Sequence, residues 1–389
     1  MKFFPQFQLA WLQLTHSKLR LVVALAGIAF AVILIFMQLG FLNSLFESQT
    51  ALHKRFNADL VIINSNLITL SQAPLRFPQQ YLYRVLNFEE VEAVNTFNYN
   101  RNLLKYGTDI VDPILVIGIN PENPSLYIED FDRVAHWLKT PGFALFDANS
   151  DRKLYGELLR DLQGGQVQVA ELNNQRIRIA GTVDFVGASF GEQGYIIMGS
   201  STFKNLTSSA SKDDIAIGLI TLKSGVDQQK AIDKIRKQLP GNVSLMTLAD
   251  FIEFEKDFWR ATAPLGFVFG LGVLVSCFVG TIIVYQILYS EVSEHLSDYA
   301  LLKARGYRHY YLLSMLFQEC LLLAVMGYIP GLIVSLGLYR FTEFATSIPM
   351  DMTTSREILV LALTIIMCFI SGVISMKKLN EAAPADLFS

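Results

Sequence analysis

Charge is scarce in this sequence: of 389 residues only 17% are Asp, Glu, Lys or Arg, against 52% hydrophobic. That balance is too apolar for an ordinary soluble chain of this length, so part of it belongs in lipid. The charges nearly cancel, to -3, which removes the basic surplus that binding nucleic-acid phosphates would need. Cysteine is sparse too. Cys277, Cys320 and Cys368 each fall inside an apolar run, which gives neither a disulfide framework nor a thiolate metal site. The histidines, at 16, 53, 136, 295 and 309, never stand at His-x-x-x-His spacing, so metal catalysis lacks a motif. No G-x-x-x-x-G-K-[ST] phrase occurs, so this polypeptide has no loop to cradle nucleotide phosphates. No nucleophile, base and orienting residue recur as a set, and the sequence assigns no catalytic, cofactor-binding or metal-binding residue. Asp147, Asp151, Glu157 and Asp161 sit in a polar, turn-rich stretch that reads as solvated surface rather than a catalytic pair.

What is present in abundance is long apolar runs. Four of them, about 21–42, 264–288, 311–338 and 358–376, are each long enough at 1.5 Å per residue to cross a hydrocarbon core of roughly 30 Å. The first lacks a small-residue cleavage signature and is read as a retained anchor. Pro330-Gly331 is expected to kink or break the third. Lys2, Lys18 and Arg20 precede the first run, Lys303, Arg305 and Arg308 separate the second from the third, and Lys377 and Lys378 follow the fourth. By the positive-inside rule the termini, including the tail at 377–389, are cytoplasmic. Residues 43–262 then lie outside. Ahead of the first crossing, residues 1–20 place Phe7, Ala10, Trp11 and Leu14 on one helical face, as expected of an amphipathic helix lying on the cytoplasmic membrane surface.

The outer segment is large enough to fold on its own account. "ADLVIINSN" at 58–66 and "PILVIGINP" at 113–121 read as buried strands, and "NFEEVEAV" as a helix or turn leading to another. Residues 214–225, 227–239 and 242–248 read as strand, helix and strand, with Ala231, Ile232, Ile235 and Leu239 forming the helix's apolar stripe. Short β-prone runs with Asn-Asn and Gly turns over 164–198 predict a mostly β insertion. The expected fold is therefore a membrane α-helical protein with four transmembrane helices and a large α+β extracytoplasmic domain inserted between the first and second. Within that domain, an α+β lobe (43–120 and 214–262) would carry a β-rich lobe (121–213).

The gap between the second and third crossings holds a charged helix, about 290–310. At 100° per residue Glu294, Asp298, Leu301 and Arg305 share one stripe, and Val292, Leu296, Tyr299 and Lys303 share the opposite one, with Gly306 as a stop. A leucine embedded in mixed charge suits a protein-docking face. Inside the crossings polar groups are few: Gln318 and Glu319 in the third, with Gln38 and Gln286 near crossing ends, too few for a hydrophilic pore or proton relay. Glu319 lies about two turns inside the boundary, within snorkelling reach of water and of Arg308.

"SEHLSDYALLKARGYRHYYLLSMLFQECLLLAVMGYIPG" resembles the region after the second crossing in permeases of the MacB/FtsX (type VII, mechanotransmission) superfamily of ABC transporters. "AWLQLTHSKLRLVVALAGIAFAVILIFMQLGF" and "ALLKARGY" resemble the DevC-type permeases of cyanobacterial glycolipid exporters. The resemblance implies a homodimeric inner-membrane permease whose coupling helix (Glu294, Asp298, Leu301, Lys303, Arg305, Gly306) rests on a separate ABC ATPase subunit, so that ATP is bound by the partner. It further implies a periplasmic adaptor (membrane fusion protein), a TolC-like outer-membrane channel reached through it, and a coupling role for Glu319. The cargo it implies is a lipid or glycolipid. An FtsX-like regulator of a periplasmic cell-wall hydrolase and a lipoprotein-releasing permease are the alternatives within the same superfamily.

Overall fold

The apolar runs and the alternating segments fold into separate bodies. The computed structural model describes residues 18–107, 109–189, 191–207, 213–262, 264–294, 309–346 and 348–381. These divide into two compact units, one helical, from Met1–Asn43, Pro264–Glu343 and Met350–Ser389, and one α+β, from Ser44–Ala263 and Phe344–Pro349.

Among the described residues the helical unit consists of α1 (Lys18–Lys54, whose last turns belong to the other unit) and three later helices that follow the α+β body in sequence. Among the described residues four helices are long and apolar enough to cross a membrane, over Lys18–Lys54, Leu265–Ser290, Phe317–Thr346 and Thr354–Ser375. With its 37 residues α1 would be about 55 Å long, well beyond a hydrocarbon core of roughly 30 Å. Pro330 lies inside a helix that runs unbroken from His309 to Thr346, so of the kink or break expected there the break does not occur. Neighbouring helices can satisfy and support a backbone that has lost one N–H, as is usual in membrane bundles. Packing is close at small residues. A side chain at Gly280 would collide with Met367 and Ala31, and Ser371 Oγ donates 2.8 Å to the Thr281 carbonyl, drawing the second and fourth crossings together.

The α+β unit is built on one nine-stranded sheet. Its strands are β1 (Leu60–Asn64), β3 (Val91–Tyr106), β4 (Asp109–Ile119), β5 (Phe143–Asp147), β6 (Gln168–Leu172), β7 (Gln175–Val183), β8 (Tyr195–Gly199), β10 (Ile217–Leu222) and β11 (Val243–Thr247). The order is β11-β1-β10-β3-β4-β8-β5-β7-β6. The short β2 (Phe77–Pro78) and β9 (Asp214–Ile215) pair separately. Sixteen residues long, β3 gives its first half to β10 and its second to β4. It also meets β6 at Leu104↔Leu172 and Lys105↔Glu171, so the six strands from β3 through β6 close into a ring. Asn173 and Asn174, at φ 47 and 66, make the tight turn between β6 and β7 that the Asn-Asn pair signalled.

Helices cover the sheet: α2 (Gln80–Val85), α3 (Phe131–Lys139), α4 (Arg152–Gln163), α5 (Ser200–Leu206), α6 (Gln228–Arg236) and α7 (Leu248–Thr262). The unit from 214 to 248 is a crossover, because β10 and β11 flank β1 and both run antiparallel to it, with α6 between them in sequence. Asp227 caps α6, accepting from the amides of Gln229 and Lys230, while Ala231, Ile232 and Ile235 are buried. Tyr155, Leu158, Leu159 and Leu162 of α4 pack with Leu104, Ile177 and Ile196 on one face of the ring strands. A second cluster on the other face joins Phe97, Tyr99, Leu115 and Ile197 to Leu52 and Phe56 at the end of α1 and to Phe251 of α7.

Candidate functional site

The last turns of α1, Ser44–Lys54, and the residues just after them meet α7, the segment after β1 and the loop between β7 and β8. Their apolar stripe ends in Leu52 and continues to Phe56, whose ring meets Phe97 edge-on at 4.9 Å. Facing it, α7 carries Phe251, fully buried, and one turn later Glu255, 1% exposed. An acid at i+4 from a core phenylalanine is forced into the same apolar stripe, so its charge must be met by partners.

Four groups meet it. Thr69 Oγ1 donates to Glu255 Oε1 at 2.5 Å, the Leu70 amide donates to Oε2 at 3.1 Å, and Trp259 Nε1 donates to Oε1 at 3.0 Å. His53 Nε2, from the last turn of α1, lies 3.4 Å from Oε2. Burial pushes the carboxyl's pKa upward, but His53, the Thr69 hydroxyl and the Leu70 amide outweigh it and hold the group below the usual carboxylate range. One carboxylate thus ties together α1, α7 and the segment after β1.

Two further links hold the same end of α1. Arg55 Nη2 donates 2.5 Å to the Phe185 carbonyl, and Gln49 packs against Gly191, both in the loop between β7 and β8. Ser44 Oγ donates to the carbonyl of Pro349, so the connection after the third crossing is pinned here too. In that β7–β8 loop Glu192 pairs with Arg101 of β3. Asp147, at the end of β5, accepts from the amides of Asn149 (3.0 Å), Val186 (3.1 Å) and Gly187 (2.6 Å) and is fully buried. This corrects its reading as solvated surface: the carboxylate serves as a backbone cap that shapes the loop, with burial raising its pKa against those amides. Asp151 caps α4, accepting from the Lys153 amide at 2.7 Å, and Asp161 accepts from Tyr106 Oη at 2.6 Å.

Of the residues singled out from sequence, Glu294 is the last residue of the helix Leu265–Glu294. Asp298, Leu301, Lys303, Arg305 and Gly306 lie outside the described residues, as do Arg308 and residues 1–17 of the N-terminal amphipathic stretch. Glu319 is 0% exposed, within the helix His309–Thr346. His53 and Glu255 were not singled out. The available signal was the apolar spacing of Phe251, Phe254 and Phe258 around Glu255. Among the described residues no group of His, Cys, Asp or Glu has the arrangement of a metal site.

This architecture defines a polytopic membrane protein: four apolar helices, one before and three after, flank a large α+β body whose tie-points converge on the end of the first helix. Two family descriptions match it, the MacB-like periplasmic core domain over residues 21–238 and the FtsX-like permease C-terminal region over 266–384. The chain belongs to the MacB/FtsX superfamily of ABC-transporter permeases. The periplasmic region of MacB from Actinobacillus actinomycetemcomitans is similar at 13% identity, over 52% of this chain and 94% of that one, with a TM-score of 0.36. The extracellular domain of the noncanonic ABC-type transporter YknZ from Gram-positive bacteria is similar at 14% identity, over 49% and 98%, with a TM-score of 0.33. At such TM-scores these overlaps add nothing to the family assignment. No curated protein matches the chain significantly.

Proposed function

We propose that this chain is the permease subunit of an ATP-driven tripartite export system of the inner membrane, relaying the movement of a separate ABC ATPase to its own periplasmic domain. The cargo is a lipid or glycolipid, as in the DevC-type systems the membrane segments resemble. It works as a homodimer, with cytoplasmic termini, an adaptor on the periplasmic domain and a TolC-like channel beyond. The segment 290–310 is the coupling helix, with Glu294, Asp298, Leu301, Lys303, Arg305 and Gly306 at the ATPase and Glu319 in the relay.

The observation that supports this best is the combination in one chain of a MacB-like periplasmic core with an FtsX-like permease region. The physical arrangement suits a relay. Burial at the end of α1 couples its last turns to the helix that precedes the second crossing through one multiply held carboxylate. A load on either helix is therefore shared by the other. Glu255 has no exposed face from which to bind cargo, and its pKa is lowered rather than raised toward neutrality, which suits a fixed anion rather than a proton carrier.

The test is co-purification and coupled activity of variants. Leu301→Asp and Arg305→Asp are expected to insert normally yet lose the ATPase or its stimulation; unchanged ATPase binding and activity would remove the docking assignment. Recovery of an adaptor with the wild-type chain supports export. Recovery of a peptidoglycan hydrolase in its place would transfer the support to the regulator reading.

A further inference from the structure

An ionised side chain inside a membrane bundle is a functional candidate by default, and its partners say of what kind. Arg356 is the third residue of the helix Thr354–Glu381, and it is 7% exposed. An arginine guanidinium offers five N–H donors in a planar fork and no acceptor. Its hydrogen-bond partners are neutral: Nη1 donates 3.2 Å to Tyr339 Oη and 2.8 Å to the Asp351 carbonyl, and the group lies over the Tyr339 ring at 5.6 Å. Tyr339, in the helix from His309 to Thr346, in turn donates 2.5 Å to the carbonyl of Phe36 in α1. Gly40 makes that approach possible, since a side chain there would occupy the place of the tyrosine ring edge and hydroxyl. One cation and one hydroxyl thus join three crossings at a single end of the bundle.

The placement is electrostatically poor for a permanent rivet. A cation in the first turn of a helix faces the positive end of the helix dipole, and burial behind neutral partners removes its hydration. When Arg356 leaves this position, water or lipid phosphate at the bilayer surface can replace what it gives up. The difference between its held and released states is therefore small beside the gross contacts, the condition for a two-state element.

We propose that Arg356 and Tyr339 form a releasable clamp between the first, third and fourth crossings that opens and closes with the ATPase cycle, Arg356 acting as a positioning residue for the relay. This rests on the ATPase-coupled reading of the chain. The experiment is hydrogen exchange by mass spectrometry on the full chain co-purified with its ATPase in lipid nanodiscs, without nucleotide and trapped with ATP and orthovanadate. In the wild type, peptides covering residues 356–362 are expected to exchange roughly tenfold faster when trapped, the equivalent of one lost charge-assisted hydrogen bond. Arg356→Gln and Tyr339→Phe are expected to exchange fast in both states. Arg356→Lys, which keeps the charge, is expected to recover part of the nucleotide dependence. If peptides around residue 301 respond to trapping while 356–362 does not, the clamp is a fixed structural contact and the proposal fails alone. If neither segment responds, the coupled reading fails and takes the clamp with it.

Discussion

Replacing Glu255 with Gln removes the charge at the end of α1 but almost none of the volume. The carboxylate accepts from Thr69, Leu70 and Trp259 and faces His53, so three donors and an imidazole converge on two oxygens. An amide offers one acceptor oxygen and turns an NH₂ toward the remaining donors, leaving at least one buried donor unmet. Hydrogen bonds to a charged group contribute about 1.5–3 kcal/mol each, and a buried donor left unmet adds its own desolvation cost of about 1–3 kcal/mol. A local loss of about 3 kcal/mol corresponds to roughly a hundredfold rise in the population of the opened state. Hydrogen exchange of the full chain in detergent should therefore show the Leu70 amide and the middle of α7 (Leu248–Thr262) exchanging roughly a hundredfold faster in Glu255→Gln. Glu253→Gln is the control, because Glu253 is half exposed and pairs only at the surface with Arg260 and Lys256, worth under about 1 kcal/mol. Exchange in Glu255→Gln within threefold of wild type would refute the reasoning.

The same carboxyl sets a pH dependence. Its pKa is depressed in the folded chain, so its stabilisation is present above the ordinary carboxylate value of about 4.5 and is lost as pH falls through the lower, folded value; acid titration of α7 protection should show that loss in wild type and not in Glu255→Gln. Phe251→Ala empties a fully buried site and should cost about 3–5 kcal/mol by chemical denaturation. Gly280→Val should lower the thermal stability of the solubilised chain by about 1–3 kcal/mol through collision with Met367 and Ala31, whereas Gly266→Val, with open space beside it, should not.

The sequence made the crossings visible because each needs a run of some 20 apolar residues, a signal that no tertiary contact can disguise. The crossover from β10 through α6 to β11 was legible for a related reason: its periodicities change within forty residues, and Asp227 marks the helix start. Closure of the strand ring was not. It depends on β3 being long enough to serve two neighbours and on β6 returning to it, a pairing between segments far apart in the chain. His53 and Glu255 meet only after the whole α+β body has folded between them. Asp147 misled for the opposite reason, since its polar neighbours suggested solvent while its partners are backbone amides, which sequence does not display.

The relay requires the coupling segment and the α+β body to lie on opposite faces of one membrane. Single cysteines at Leu301 and at Tyr127, the latter 65% exposed in the α+β unit, can be challenged with a membrane-impermeant maleimide in vesicles of known orientation. Labelling of position 301 from the cytoplasmic face alone and of position 127 from the other face alone is the expected result. Labelling of both from one face would contradict the relay.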